Sequence, residues 1–366
     1  MPIARVHRIS AAAPNDTSGI EDAIADGRID PAGIVAILGK TEGNGNVNDF
    51  TRGFATHALT LMLDKHLWTG AREVCLVMSG GTEGAMAPHW TVFERAEGSG
   101  PDSGQGPALA IGRAHTGALQ PEQLGRMAQV DQVAAGVRSA MTDAKISDPA
   151  DVHFVQIKCP LLTAQRITDA ETRGETVATR DTLKSMGLSR AASALGVAVA
   201  LGEVAREKIT DAAIGADTRL WSGRASASAG IELMNHEIVV LGMSAAWSGP
   251  LAIDHAVMAD GIDVEPVRAA LGRLSLAAPG QLSAAQRRGL VALLAKAEAS
   301  HDGRLRGHRH TMLDDSDISS TRHARAFVCG ALAALVGHAE IYVSGGAEHQ
   351  GPDGGGPVAI IVERIF

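Results

Sequence analysis

The stretch Arg224-Ala-Ser-Ala-Ser-Ala-Gly-Ile-Glu232 decides how the sequence is divided, because its last five residues recur twice more. The other copies are Ser79-Gly-Gly-Thr-Glu83 and Ser344-Gly-Gly-Ala-Glu348, and all fit the pattern Ser-[Gly/Ala]-Gly-x-Glu. Three copies of one pattern spread over 366 residues indicate internal repeats of common ancestry. The sequence therefore predicts three domains, over residues 1–104, 112–250 and 255–366.

A second recurrence is independent of the serines. Asp30-Pro-Ala-Gly-Ile-Val-Ala-Ile-Leu-Gly-Lys40 and Asp148-Pro-Ala-Asp-Val-His-Phe-Val-Gln-Ile-Lys158 each contain a turn, an apolar strand and a terminal lysine. A third apolar run, over residues 290–295, is followed by Lys296. Because these strands alternate with Ala-rich helical patterns, we predict the α/β class, built from three βαβ-like repeats.

An arginine follows Ser or Thr at the predicted start of a helix between each lysine and its serine. The result is three ordered sets: Lys40/Arg52/Ser79, Lys158/Arg190/Ser228 and Lys296/Arg322/Ser344. One such set alone is typical of a solvated lysine, a surface arginine and a tight turn. Their triple recurrence favours one shared site around a pseudo-threefold axis. Such a site would bind a flat ring with alternating carbonyl and N–H groups, because guanidinium and backbone N–H groups donate to its oxygens.

The lysines indicate the chemistry of this site. Crowding ammonium groups beside guanidiniums out of bulk water favours the neutral form of lysine, which can then act as a base near pH 7. A serine beside such a lysine is an activated nucleophile, and its attack on a ring carbonyl would open a cyclic amide or imide. The residue patterns alone leave open which of the three pairs reacts.

Composition excludes several classes of partner. The formal charge of −8 comes without a Lys/Arg-rich run, so the sequence shows no electrostatic footprint for nucleic acid or an anionic membrane. The N-terminus lacks the apolar core of a signal peptide, and no apolar run reaches the roughly 18 residues of a membrane span. We therefore expect a cytoplasmic protein. Its three cysteines are expected to be reduced and buried, and the Gly/Ser-rich residues 98–106 to form a flexible connection.

The motifs together resemble the cyanuric acid amidohydrolase/barbiturase family of cyclic-imide ring-opening hydrolases, over nearly the whole chain. The motifs that carry the resemblance include Asn15-Asp-Thr-Ser-Gly, Gly-Lys40-Thr-Glu-Gly-Asn-Gly, Met-Ser79-Gly-Gly-Thr-Glu-Gly, Lys158-Cys-Pro-Leu-Leu-Thr, the Ser228 stretch, Lys296-Ala-Glu-Ala-Ser, His310-Thr-Met-Leu and Ser344-Gly-Gly-Ala-Glu-His-Gln-Gly-Pro. The resemblance implies three repeats around a central β-barrel, one active site on the axis, and a homotetramer.

The resemblance also implies roles for particular residues. Ser228 would be the nucleophile and Lys158 its base. The residues implied to bind substrate are Arg52, Ser79, Gly80, Arg190, Ser228, Ala229, Arg322, Ser344 and Gly345, with Lys40 and Lys296 in the two pairs that hold the ring. Cyanuric acid members of the family open their substrate to carboxybiuret, which loses carbon dioxide to give biuret.

The segment Ala347-Glu-His-Gln-Gly-Pro-Asp-Gly-Gly-Gly356 is either a tight loop or part of a cation site. Its carbonyl groups offer only oxygen ligands, which suit Mg²⁺ or Ca²⁺. The resemblance implies a structural cation, with no part in the chemistry, bound through Glu298, Ala347, Gln350, Gly351, Pro352 and Gly355. No cofactor is expected for catalysis.

Two other functions stay open on the sequence alone. The first is that of a barbiturase, whose substrate has a carbon in place of one ring nitrogen; Ile318, just before Arg322, is a position that could discriminate the two rings. The second is non-catalytic binding of a planar cyclic imide, in which the Lys/Ser pairs only hold the ligand.

Overall fold

The computed structural model describes residues 1–67, 73–98 and 106–364. Within these ranges the chain is mixed α/β, with three four-stranded sheets and helices packed against them. Most of the predicted connection at 98–106 lies outside the described residues. The predicted domain limits stay predictions, and the strands of the three sheets fall within residues 2–97, 108–244 and 251–363.

The described residues of the first repeat form four strands and two α-helices. Its elements are β1 (Pro2–Ser10), α1 (Ser18–Ala25), β2 (Ile34–Thr41), α2 (Phe50–His66), β3 (Cys75–Gly80) and β4 (His89–Glu97). The second repeat contains β5 (Ala108–His115), α3 (Met127–Asp143), β6 (Val152–Pro160), α4 (Ala164–Thr172), α5 (Thr182–Ala200), β7 (Ala225–Gly230) and β8 (Glu237–Ser244).

The third repeat adds a small hairpin to the same plan. Its elements are β9 (Leu251–Met258), α6 (Glu265–Arg273), α7 (Ala284–Gly289), β10 (Leu290–Ala297), the hairpin β11 (Arg304–Leu305) and β12 (His308–Arg309), α8 (Ser320–Val336), β13 (Tyr342–Gly345) and β14 (Gly356–Glu363). In the part of the chain that the structure describes, no helix combines the length and apolarity that crossing a membrane requires.

The three sheets share one strand order. The orders are β1-β4-β2-β3, β5-β8-β6-β7 and β9-β14-β10-β13, so each sheet places its first strand beside its last and its second beside its third. The second and third strands of each sheet are parallel and are joined through a helix, whereas the other neighbours are antiparallel. This repeated topology agrees with the internal repeats read from the sequence.

Side-chain alternation directs each lysine toward the centre of the molecule. On β2, Ala36 and Leu38 pack in a core shared by all three sheets, while Ile37 packs in a separate core with α1 and α2. Because successive side chains in a strand point to opposite faces, Lys40 shares the face of Ala36 and Leu38. On β10, Ala292 and Leu294 belong to the same shared core, which places Lys296 on the inner face too.

The predicted central β-barrel is not found: the described residues form three separate sheets, and none of them closes. The third strand of each repeat is the edge that would have to pair with the next sheet, and it has only six, six or four residues in β3, β7 and β13. Each of these strands ends at the glycine-containing turn after its serine. Side chains rather than backbone ladders therefore make the contacts between the sheets at the centre.

One helix boundary also differs from the prediction. Ser189-Arg190 was expected to open a helix, but α5 begins at Thr182, so that Arg190 is its ninth residue. The start is fixed by Asp181, whose carboxylate accepts hydrogen bonds from the backbone N–H groups of Leu183 and Lys184. Arg190 therefore reaches the centre from the middle of a helix.

Candidate active site

Each inner-face lysine lies beside a serine on the neighbouring parallel strand. The lysine and the serine are register partners in every sheet: Lys40 with Ser79, Lys158 with Ser228, and Lys296 with Ser344. Partners in adjacent strands project from the same face of a sheet. Each repeat therefore presents one amino group and one hydroxyl group side by side.

The first and third pairs are joined by hydrogen bonds. Lys40 Nζ donates to Ser79 Oγ at 3.1 Å, and Lys296 Nζ donates to Ser344 Oγ at the same distance of 3.1 Å. Lys296 also donates to the carbonyl oxygen of Ala227 in the second repeat, at 3.0 Å. The third lysine thus connects its own serine to the neighbouring repeat.

The second pair is arranged differently. Lys158 Nζ donates to the carbonyl oxygen of Met78 at 2.8 Å and lies 3.2 Å from Glu232 Oε1. Ser228 Oγ is 3.1 Å from Ser344 Oγ. The predicted nucleophile and base are therefore adjacent but are not hydrogen-bonded to each other. Catalytic hydrogen bonds often form only in the substrate complex.

Burial sets the protonation of all three lysines. Lys40 is 0% exposed, and Lys158 and Lys296 are 1% exposed. Because burial penalises the ammonium form, the pKa of each lysine lies below its ordinary value. For Lys296, burial together with the positive charge of Arg190 lowers the pKa to about 7. For Lys158, burial also lowers the pKa, while the carboxylate of Glu232 opposes the shift.

A small cavity lies where the three serines meet. Eight of the predicted substrate-binding residues line it: Arg52, Ser79, Gly80, Arg190, Ser228, Ala229, Ser344 and Gly345. Three lining residues were not predicted, namely Gly45, Met186 and Arg325. The structure therefore brings residues from all three repeats to one small polar cavity.

The third arginine of the cavity is Arg325, and the predicted Arg322 is not among the lining residues. The Arg325 side chain is 3% exposed, whereas that of Arg322 is 36% exposed, and both contact Glu83. Arg325 lies three residues after Arg322 on α8, so both are on one side of the helix. The predicted arginine was the one nearest the helix start, and no local pattern in the sequence distinguishes it from the buried arginine one turn later.

The glutamate that ends each copy of the serine pattern pairs with an arginine of another repeat. The pairs are Arg52 with Glu232 at 3.8 Å, Arg190 with Glu348 at 2.6 Å, and Arg325 with Glu83 at 2.5 Å. The contacts run from the first repeat to the second, from the second to the third, and from the third to the first. The sequence predicts no role for these glutamates, although their recurrence in the serine pattern was the available signal.

Some of the predicted cation ligands lie together and could bind an ion through oxygen atoms. Four of the six, Glu298, Ala347, Gly351 and Pro352, line one small cavity. The carboxylate of Glu298 is 15% exposed and accepts a hydrogen bond from the backbone N–H of Ala347 at 2.6 Å. A partly buried carboxylate offers oxygen ligands of the kind that Mg²⁺ and Ca²⁺ prefer.

The other two predicted ligands are not among the residues that line this cavity. The side-chain oxygen of Gln350 accepts a hydrogen bond from Ala227 N at 2.7 Å, so this group faces the second repeat. Gly355 donates its N–H to the carbonyl oxygen of Pro352 at 2.9 Å. The ligand atoms of His301 and Asp353 do converge with that of Glu298. This convergence was not predicted from the sequence.

A hydroxyl group beside a lysine of lowered pKa, in a cavity rich in hydrogen-bond donors, is the arrangement of hydrolases that use a nucleophilic serine. The sequence matches the family described as "Amidohydrolase ring-opening protein" over residues 5–363, and the chain belongs to this family. The resemblance found in the sequence motifs is thereby confirmed.

Similar proteins carry a more specific name. The cyanuric acid amidohydrolase of Azorhizobium caulinodans is 66% identical over 366 residues, with 100% of both chains covered, and that of Enterobacter cloacae is 51% identical, with 98% of both covered. The crystal structure of the cyanuric acid hydrolase from A. caulinodans matches with a TM-score of 0.92 at 65% identity, over 100% of each chain. A second solved cyanuric acid hydrolase matches with a TM-score of 0.95 at 49% identity, covering 99% of this chain and 100% of the other.

We predict that Arg325→Met destabilises the protein far more than Arg322→Met. The first change removes the guanidinium that donates to both oxygens of Glu83 and leaves only the longer contact from Arg322, which costs up to about 3–5 kcal/mol. The second removes a half-exposed contact that contributes about 1 kcal/mol or less. Chemical denaturation of both variants measures the difference in the free energy of unfolding. Equal losses would contradict the distinction between the two arginines.

Proposed function

We propose that the protein opens the ring of cyanuric acid by hydrolysis, giving carboxybiuret, which loses carbon dioxide to give biuret. The observation that carries the proposal is the meeting of three serines, each in register with a buried lysine, at one small polar cavity. The names of relatives up to 66% identical support the choice of substrate. A homotetramer and a cytoplasmic location stay predictions.

Recognition of the ring follows from the repetition of donors around the cavity. Cyanuric acid has three carbonyl groups alternating with three N–H groups, and each repeat supplies one arginine and one serine to the lining. A guanidinium presents paired donors to carbonyl oxygens or delocalised negative charge. The repeated strand order supports a pseudo-threefold axis through the cavity, so that each repeat meets the ring in the same way.

Ser228 is proposed as the nucleophile and Lys158 as its base. Ser228 Oγ attacks a ring carbonyl carbon while its proton passes to Lys158 Nζ, and the resulting ammonium then protonates the departing ring nitrogen. The ring C–N bond breaks and leaves an ester between Ser228 and the opened chain. Water next attacks the ester carbonyl carbon while Lys158 accepts the water proton. The bond to Ser228 Oγ then breaks, and Lys158 passes this proton to Ser228 Oγ. The other two Lys/Ser pairs hold the ring.

The substrate is tested with the purified protein, cyanuric acid and barbituric acid, by following substrate loss with and without a chelator. We expect turnover of cyanuric acid that survives chelation, because no step passes through a metal ion. Turnover of barbituric acid instead of cyanuric acid would show that the protein is a barbiturase. Tight binding of either ring without turnover would show a binding protein rather than an enzyme.

A pair of variants tests the nucleophile. Ser228→Ala is expected to lower kcat by about 10⁴-fold or more, because removing a nucleophile abolishes the covalent route, and calorimetry should still detect binding of cyanuric acid. Ser79→Ala is the matched control, since Ser79 has the same register beside its lysine; it should mainly raise KM. Normal turnover by Ser228→Ala would disprove the assignment.

A structural Mg²⁺ or Ca²⁺ ion is proposed near Glu298. The carboxylate of Glu298 and the backbone carbonyl groups of Ala347, Gly351 and Pro352 would hold it, at the base of the turn that follows Ser344. The ion would offset the negative charge of Glu298 and keep this turn in place. It would supply stability and take no part in the reaction.

Thermal unfolding measures this role without reference to activity. An ion present at a hundred times its Kd stabilises the folded state by about 2.7 kcal/mol, and chelation should therefore lower Tm by several degrees. Glu298→Gln should abolish the shift. Glu265→Gln, a change at a glutamate whose side chain is 80% exposed, should retain it. A Tm that chelation leaves unchanged in the wild type would show that the site holds no ion.

A further inference from the structure

The glutamates of the first and third repeats are both fully engaged by arginine. Arg325 donates to both oxygens of Glu83, at 2.8 and 2.5 Å. Arg190 donates to both oxygens of Glu348, at 2.8 and 2.6 Å. In this two-pronged geometry one guanidinium neutralises one carboxylate. Among the described residues, neither glutamate forms an ion pair with a lysine.

Glu232 in the second repeat is not engaged in this way. Its arginine, Arg52, approaches only to 3.8 Å through Nε, because its other nitrogens donate to the carbonyl oxygens of Ala229 at 3.0 Å and Asn46 at 2.6 Å. Neither oxygen of Glu232 accepts a well-aligned hydrogen bond within the described ranges. The carboxylate is 10% exposed, so water compensates it little.

The nearest charge to Glu232 is therefore Lys158 Nζ, at 3.2 Å. Lys158 is itself 1% exposed, and in a buried environment an ion pair at this distance is strong. The second repeat differs from the other two in this respect. Its glutamate lies closest to a lysine, whereas the glutamates of the first and third repeats are paired with arginines.

We propose that Glu232 is a positioning residue that acts through Lys158 and makes the second Lys/Ser pair the reactive one. When Ser228 attacks, its proton moves to Lys158, and the ammonium so formed lies against the carboxylate. Glu232 stabilises that ammonium in the same sense as the aspartate of a Ser-His-Asp triad stabilises the imidazolium. Among the described residues, Lys40 and Lys296 have no such carboxylate in contact: Glu83 and Glu348 bind arginine, and their charges act on these two lysines only from a greater distance. The inference rests on the proposed hydrolysis of cyanuric acid.

The direction of the pH effect follows from the charge. Lys158 acts as a base only when it is neutral, so activity falls on the acidic side as Lys158 gains a proton. The negative charge of Glu232 raises the pKa of Lys158 against the lowering effect of burial. Removing this charge lowers the pKa, and the acidic limb of the kcat profile moves to lower pH. A glutamate that only supported the fold would leave this limb in place.

The experiment measures kcat and KM for cyanuric acid against pH in the full-length Glu232→Gln enzyme. We expect kcat at neutral pH to fall by about a hundredfold or more, KM to change less than kcat, and the acidic limb to move down by about one pH unit or more. Glu232→Asp retains the charge at a greater distance and should recover part of kcat, with a limb close to that of the wild type. If the Glu232→Gln variant does not fold, the Glu232→Asp variant provides the test instead.

Glu83→Gln and Glu348→Gln are the matched controls, because each removes the same charge from the equivalent position. Both should weaken the pairing with their arginines and raise KM, with the acidic limb at the position of the wild type. An active wild type combined with an unshifted limb in Glu232→Gln would overturn this inference alone. A shift in either control instead would assign the reactive pair to that repeat. A wild type without turnover would overturn the proposed function and this inference with it.

Discussion

Three lysines buried within one protein centre impose the constraint on which the rest of the structure depends. Each must be desolvated beside arginine side chains, and this is costly unless carboxylates lie close by. The three glutamates of the repeated pattern supply that negative charge. Each of them contacts an arginine of a different repeat. The contacts that compensate the buried positive charge around the cavity are therefore the same contacts that hold the three sheets around it.

Much of this arrangement could be predicted from the sequence, because it is repeated within each segment of the chain. The constant order of Lys, Arg and Ser pointed to five of the residues that line the cavity, and the family resemblance implied three more, Gly80, Ala229 and Gly345. Each repeat carries its own local signals, so errors in one copy are corrected by the others. The in-register pairing of lysine with serine follows directly from parallel strands that end at the same level.

The features that escaped prediction all depend on contacts between repeats or on a cap outside the repeated pattern. Arg325 is the buried partner of Glu83, which lies far away in the sequence, so no local pattern separated it from Arg322. The start of α5 follows from Asp181, and the failure of the sheets to close follows from the short edge strands. The partners of Lys158, including Met78 of the first repeat, are visible only once the sheets are placed together.

The cyclic order of the arginine–glutamate contacts also bears on how such a chain could arise. No repeat completes its own site, since each gives its arginine to one neighbour and takes an arginine from the other. Three separate copies of a one-repeat ancestor could form this cycle of contacts only as a symmetric trimer. In such a trimer one gene encodes all three copies, so a mutation would change all three Lys/Ser pairs at once. Joining the copies into one polypeptide allows a single repeat to diverge. One Lys/Ser pair can then specialise in chemistry while the other two pairs continue to bind the substrate.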